Sequence, residues 1–262
     1  MEVLNPRSLD EALRLKSEHP EAVPIAGGTD LMVALNFDRL RPPTLLNLNE
    51  VPELRGWSRE NGSLRLGAGL TYAEAMEEPL AGLLPALAEA SRTVGSPQIR
   101  NRGTIGGNLG TASPAGDALP PLLVGGAGVI LASVRGERTV PLHEFVVGPK
   151  RNVLADDELI AAVTIEPAAA RETFMKVGPR NAMVIAVVSL ALRVGDELRA
   201  AFGSAGPVPT LVRAGADEVD SFPEQVAAAA SPIDDVRGTA SYRRHALRVL
   251  TKRALDRCWE PA

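Results

Sequence analysis

Thr104-Ile105-Gly106-Gly107-Asn108-Leu109-Gly110-Thr111-Ala112-Ser113-Pro114-Ala115-Gly116-Asp117 decides how this chain is read. Its glycines, hydroxyls, amide and carboxylate predict an irregular segment rather than a regular element. A second glycine pair lies upstream, in Ala26-Gly27-Gly28-Thr29-Asp30-Leu31. Successive glycines let backbone N–H groups approach a phosphate closely, with φ above zero where needed. Gly27-Gly28 falls between a predicted strand, Val23-Pro24-Ile25-Ala26, and a helix starting near Thr29, so N–H groups and a positive dipole end meet at that point. Thr29 adds a hydroxyl. Gly106-Gly107-Asn108 offers the same from a second loop, about 80 residues on. One such loop suits a mononucleotide; two suit a dinucleotide diphosphate. A lone Gly-Gly pair more often marks a tight turn, and Asp30, Asn108 and Asp117 beside these two loops tilt the reading towards a ligand. Neither loop has the Gly-x-Gly-x-x-Gly spacing after a strand, and no Walker A sequence is present.

Composition narrows the function class. Of 262 residues, 45% are apolar and 23% charged, as in ordinary globular domains, and the net charge of −4 with no Lys/Arg block excludes a nucleic-acid surface. Aromatic residues are only 3%, so a flat ligand would be held by backbone and polar groups rather than by stacking. A single cysteine, Cys258, excludes an intrachain disulfide and an iron–sulfur cluster held by this chain alone. No apolar run is long enough for a membrane span. The start, Met1-Glu2-Val3-Leu4-Asn5-Pro6, lacks the basic and apolar regions of a signal peptide, and a cytoplasmic location is expected.

Periodicity divides the chain into 1–166 and 171–262, with subdomains of about 1–55 and 56–166 in the first part. In 1–55, Ser8 and Glu11 form a capping box for a helix to about Ser17, and Thr44 to Leu48 alternates as a strand. In 56–166, Glu53 to Arg59 and Ser63 to Gly67 flank Asn61-Gly62 as a hairpin with a type I′ turn. Thr71 and Glu74 make a second capping box, and Leu80 to Val94 reads as one helix. A short helix follows around Asp117 to Val124. Val129 to Val134 and Arg138 to Leu142 form another hairpin, and Glu158 to Ile165 a further strand. Pro167 to Ala170 reads as a linker. Beyond it, Thr173 to Val177, Val184 to Val194 and Leu198 to Gly203 predict three antiparallel strands. Helices from Phe222 to Ala230 and Ala240 to Trp259 close the chain.

Other constellations are weak. His19, His143 and His245 have no ligand spacing. No Gly-x-Ser-x-Gly elbow occurs. Asp156-Asp157-Glu158 reads as a solvated loop, and Arg243, Arg244, Arg248, Lys252, Arg253 and Arg257 as a solvated or docking face of the last helix. Lys176 sits on a predicted strand, where an outward-facing position is the simplest assignment, and Cys258 packs as a small apolar residue.

The string Ile99-Arg100-Asn101-Arg102-Gly103-Thr104-Ile105-Gly106-Gly107-Asn108, with Ala112 to Asp117, resembles the FAD-binding subunit of the molybdenum hydroxylases, the xanthine and carbon monoxide dehydrogenase group. Ala26 to Leu31 is similar to that family's first FAD loop, and the likeness continues through Val94 to Gln98, Val140 to Leu142, Glu158 to Ile160, Phe174 to Val177 and Tyr242-Arg243. The resemblance implies an α+β fold: a two-subdomain, PCMH-type FAD-binding domain, then a smaller domain with an antiparallel sheet and helices. It implies FAD as cofactor, with Val23, Pro24, Ile25, Ala26, Gly27, Gly28, Thr29 and Asp30 around the diphosphate. Thr104, Gly107 and Asn108 would contact the diphosphate and flavin side, with Ile105, Gly106, Ser113 and Val94 also among the cofactor-binding residues. Asp117 would hold a ribityl or adenosine hydroxyl, and Leu154 and Lys176 would line the flavin. The family's benzoyl-CoA-type reductases carry an extra iron–sulfur insert in this subunit; one cysteine excludes it here.

The implied function is electron transfer without substrate chemistry on this chain. A molybdenum-cofactor large subunit and a [2Fe-2S] small subunit would be the partners, in a dimer of heterotrimers, with NAD, a quinone or oxygen as acceptor. Two alternatives stay open: a non-catalytic nucleotide-binding or assembly subunit, and a stand-alone flavin oxidase of the same fold. The latter would need an acid–base residue beside the ring, and no His or Tyr stands out near the loops.

Overall fold

Residues 1–168 and 171–259 are described by a computed structural model of the chain. The first layer runs β1 (Glu2–Leu4), α1 (Leu9–Glu18), β2 (Val23–Ile25), α2 (Leu31–Asn36) and β3 (Thr44–Asn47). Its strands form a parallel sheet in the order β1-β3-β2, with Leu45 opposite both Val3 and Val23. Thr44, Leu45 and Leu46 of the central strand are all buried, as expected where both faces are covered. This order leaves β2 at the sheet edge, so the Gly27-Gly28 loop that follows it projects outward. Ser8 caps α1 by accepting from the Glu11 N–H at 3.2 Å.

The second sheet is antiparallel, in the order β4 (Trp57–Glu60), β5 (Ser63–Gly67), β10 (Leu159–Ile165), β6 (Gly128–Ser133), β7 (Gly136–Pro141). Asn61 and Gly62 have φ of 50° and 88°, the type I′ geometry that their sequence predicts. Between β5 and β6 run α3 (Leu80–Leu83), α4 (Pro85–Thr93), α5 (Pro97–Arg100), α6 (Ile105–Thr111) and α7 (Leu119–Val124). Between β7 and β10 lie α8 (Leu142–Phe145) and a small hairpin of β8 (Val146–Gly148) and β9 (Arg151–Asn152).

The third sheet is an antiparallel meander of β11 (Arg171–Val177), β12 (Val188–Val194), β13 (Glu197–Gly203) and β14 (Thr210–Gly215). Alternation assigns its two faces. Leu190, Leu192, Leu198, Ala200 and Phe202 pack with residues of α9 (Phe222–Ala229) and α10 (Ala240–Trp259). The intervening Ala191 and Ala201, with Phe174, join the main core instead, and their small side chains let α7 lie close. The meander is therefore buried on both faces and locked to the helices that carry the second glycine segment.

Several elements differ from expectation. The glycine segment is helical from Ile105 to Thr111, not irregular: Thr104 caps it and Ile105 and Leu109 bury one side, which outweighs the low helix propensity of glycine. The expected helix from Leu80 to Val94 is split at Leu84, because Pro85 has no N–H to continue the first piece. Thr71 and Glu74 do bond reciprocally, but open only a short 3-10 turn. β1 and β14 fall outside the expected strands, one being a three-residue edge strand and the other following a Pro-rich loop. Arg243 lies on no solvated face: it is 1% exposed, bonded to the Ser204 carbonyl and paired with Asp235. Glu158 is likewise buried, paired with Arg138 at 2.6 Å. The predicted linker falls partly on residues 169 and 170, outside the described residues.

Candidate cofactor site

Two loops meet at the edge of β2. In the first, Gly28 has φ of 72°, a conformation that glycine adopts without strain. The N–H groups of Gly27, Gly28 and Thr29 have no hydrogen-bond partner among the described residues. A run of free donors at a turn is an anion-binding arrangement. Gly27 is glycine for a different reason: a Cβ there would stand 1.7 Å from the Arg102 carbonyl oxygen. The two loops are thus in backbone contact, although Gly27 and Arg102 are far apart in sequence. Thr111 Oγ1 also reaches Asp30 Oδ2 at 3.4 Å, tying the start of α2 to the end of α6.

The second loop does not repeat the first. Its N–H groups are spent inside the protein: Ile105 donates to Leu70 O at 2.9 Å, Gly106 to Ala68 O at 2.8 Å, Gly107 to Thr104 Oγ1 at 2.9 Å and Asn108 to Thr104 O at 3.0 Å. The expected second set of free amides is therefore absent, because the segment is a capped helix. What it offers is space, a hydroxyl and acceptors. Gly106 is buried, and a Cβ there would stand 2.6 Å from Ala68, whereas at Gly107 a Cβ would meet only Thr104 Oγ1 at 3.0 Å. The Thr104 hydroxyl accepts from Gly107 and keeps its own proton to donate. Asn108 Oδ1 and Asp117 Oδ1 are buried acceptors with no partner in the protein. Ser113 stabilises the following turn by accepting from Ala115 N–H at 3.3 Å.

Lys176 on β11 reaches this segment from the third sheet. Its Nζ donates to Asp117 Oδ2 at 2.6 Å, and the two side chains are only 6% and 9% exposed. Burial pushes the Asp117 carboxyl above the usual carboxylate range, against the pull of the Lys176 ammonium. The ammonium also lies 3.4 Å from the Thr93 carbonyl, next to Val94. Val94 and Leu154 are half-buried apolar residues packed on the main core. Leu154 N–H donates to Asn152 Oδ1 at 3.1 Å, while the Asn152 amide donates to Gly110 O on α6 at 3.0 Å, which brings that strand end to the same segment. The first glycine loop, Leu154 and Lys176 are thus each linked by contacts to α6 and the turn that follows it, with Val94 next to the Thr93 carbonyl that Lys176 approaches.

Two neighbours carry no sequence signal. Asn49 donates to Ala26 O at 2.9 Å and accepts from Arg102 at 3.0 Å. Tyr72 donates its N–H to Gly103 O at 3.0 Å and lays its buried ring against Gly103, while its hydroxyl has no partner among the described residues. Burial, with the nearby Asp117 charge, pushes its phenol well above the ordinary range, so it stays protonated and supplies no base. The bridge between Thr71 and Thr104 and the backbone bonds beside it bring Tyr72 here, a long-range pairing that local patterns do not reveal.

The site has free donors on one loop and free buried acceptors on the other. An anion satisfies the first and a polyol the second, and FAD carries both a diphosphate and hydroxyl-bearing chains. The residues present therefore fit that cofactor.

Comparison with known proteins agrees. Residues 1–168 match the family described as FAD binding domain in molybdopterin dehydrogenase. The xanthine dehydrogenase FAD-binding subunit of Escherichia coli O157:H7 is 30% identical over 95% of this chain and 92% of its own length. The carbon monoxide dehydrogenase medium chain of Hydrogenophaga pseudoflava is 28% identical over 97% of this chain and 95% of its own. A solved structure of carbon monoxide dehydrogenase from the same organism superposes with a TM-score of 0.90 at 27% identity, covering 99% of this chain and 97% of that one. Quinoline 2-oxidoreductase from Pseudomonas putida 86 gives 0.91 at 26% identity, covering 98% and 96%. The chain belongs to the family of FAD-binding domains in molybdopterin dehydrogenases, as an oxidoreductase subunit whose cofactor is FAD.

Proposed function

We propose that this chain is the electron-transfer subunit of a molybdenum hydroxylase, taking electrons from partner iron–sulfur clusters and passing them to NAD, a quinone or oxygen. The observation that carries the reading is the split between the loops: free N–H donors at Gly27, Gly28 and Thr29, and orphaned acceptors on Asn108 and Asp117. FAD bound there supplies a redox centre that exchanges electrons singly or in pairs. The chain's own residues bind and orient it. The first loop takes the diphosphate, with the Thr104 hydroxyl donating from the second. Asn108 and Asp117 accept from hydroxyls, and Val94 and Leu154 flank the ring while Lys176 faces its polar edge. A molybdenum-cofactor large subunit and a [2Fe-2S] small subunit complete the assembly as a dimer of heterotrimers, since the one cysteine here holds no cluster.

Two experiments test this reading. Substrate added to the complex stripped of FAD is expected to reduce the iron–sulfur centres and go no further; centres that stay oxidised would refute the order of carriers. In the isolated chain, Gly107→Val is expected to bind FAD at least about tenfold more weakly, because the new side chain crowds the Thr104 hydroxyl, which a Cβ would meet at 3.0 Å, and projects beside it towards the cofactor. Gly107 lies in the first turn of α6, not at positive φ, so no backbone strain confuses the result. Unchanged melting with unchanged FAD affinity would remove α6 from the site.

A further inference from the structure

The two halves of the cofactor cradle come from different sheets, and little fixes their spacing. Loop one leaves β2 of the parallel sheet; loop two enters α6 beside the antiparallel sheet. Their backbones touch where Gly27 meets the Arg102 carbonyl. A contact of that kind resists compression and does nothing to hold the loops together. Two side-chain links do so: the 3.4 Å hydrogen bond from Thr111 to Asp30 at the far end of α6, and, nearer the glycine turn, the amide of Asn49, just beyond β3. Its Nδ2 donates to Ala26 O at 2.9 Å, on loop one, and its Oδ1 accepts from Arg102 Nη2 at 3.0 Å, on loop two. The amide cannot be turned round, since a carbonyl requires its NH2 and a guanidinium its oxygen.

The amide is itself held. Nδ2 also donates to Asn47 Oδ1 at 2.7 Å, Asn47 in turn donates to Asn5 Oδ1 at 2.8 Å, and the backbone carbonyl of Asn49 accepts from Arg55. This chain of side chains runs from β1 through β3 to the glycine turn. Asn49 and Asn47 are half-buried, so the bonds are partly shielded from water. Ala26 immediately precedes the three free N–H groups, so displacing its carbonyl tilts the donors that follow.

We infer that Asn49 is a positioning residue for the cofactor: it sets the separation and tilt of the two loops and acts on the diphosphate through Ala26 and Arg102. The inference rests on the FAD reading of the site. Its test uses the full-length chain with FAD, measuring the dissociation constant by flavin fluorescence and the environment of the two phosphates by 31P resonance. Asn49→Ala is expected to weaken FAD about tenfold, the worth of one charge-assisted hydrogen bond together with the loop order it maintains. It should shift the 31P lines while the melting temperature stays within a few degrees. Arg102→Ala, on the exposed side of the brace, is expected to weaken FAD in the same direction. The Asn49→Ala/Arg102→Ala double variant should lose less than the product of the two single effects, because the second change removes a bond already gone. Wild-type affinity and unshifted 31P lines in Asn49→Ala would overturn the inference, as would purely multiplicative losses. If Asn49→Ala fails to fold, Arg102→Ala decides by the same two readouts. A wild-type chain that binds no FAD would instead refute the reading of the site, and the inference with it.

Discussion

Gly27→Ala is expected to purify without flavin. The added methyl carbon would stand 1.7 Å from the Arg102 carbonyl oxygen and 2.4 Å from its carbon. These are backbone atoms, so no rotamer change relieves the overlap, and the loops must separate. Overpacking of this kind costs roughly 1–3 kcal/mol even where side chains can adjust, and here it falls where the two loops meet. The free N–H groups of Gly27, Gly28 and Thr29 would move away from Thr104 and Asn108, so that one ligand no longer reaches both. A loss of FAD affinity of at least about a hundredfold is expected, equal to about 2.7 kcal/mol. The sheets lie outside the disturbed region, so far-ultraviolet circular dichroism should remain that of the wild type. Gly28→Ala is the comparison: its Cβ would meet only side-chain carbons, from 3.2 Å outward, so its cost comes from φ of 72° and should be smaller. The ratio of flavin absorbance to protein absorbance in the purified variants reads the result directly. A Gly27→Ala protein that retains equimolar FAD would show that the contact between the loops is unnecessary.

What the residues reveal in advance follows from how far each signal reaches along the chain. The Ser8 cap and the Asn61-Gly62 turn are local and form where propensity puts them; the meander keeps its expected strand ends, although β12 starts at Val188, four residues later than alternation suggests, and β14 is added. The glycine pairs serve mixed purposes that the sequence does not distinguish. Gly27 and Gly106 are required by close backbone packing, Gly28 by its backbone angle, and Gly107 by the approach of the Thr104 hydroxyl. The idea of two equivalent amide-lined loops fails because Thr104, a strong helix cap, turns the second glycine run into α6 and consumes its donors. Lys176 has the periodicity of an ordinary strand residue. The packing of β11 on α4, and of the rest of the third sheet on α7, carries its ammonium to Asp117, across 59 residues. Asn49 and Tyr72 belong to the same class: their roles depend on long-range contacts that no window of sequence contains.

Lys176→Met is expected to destabilise the protein by about 3–5 kcal/mol at neutral pH, the cost of leaving one member of a buried ion pair without its partner. Neither side chain is as much as a tenth exposed, so solvent screening relieves little of it. For a chain of this size that corresponds to a melting temperature lower by roughly 10 °C. The pH dependence identifies the cause. Burial already raises the Asp117 carboxyl, and Lys176 is the group that opposes the rise, so its removal raises the carboxyl further. A carboxyl with a folded-state pKa above its unfolded value contributes stability that is present below the unfolded pKa and lost as pH rises towards the folded one. The variant's deficit should therefore shrink on acidification and reach its full size only above the raised pKa, which melting curves at about pH 4.5 and pH 7.5 would resolve. Asp117→Asn in the Lys176→Met background removes the stranded charge but keeps a hydroxyl acceptor, so stability and part of the FAD affinity should return together. Asp117→Leu in that background should restore stability alone, since a buried pair can be exchanged for apolar residues but a hydroxyl acceptor cannot. If Asp117→Leu restores FAD binding as well, the orphaned Asp117 oxygen makes no contact with the cofactor and the pair serves only to join the third sheet to the rest of the protein.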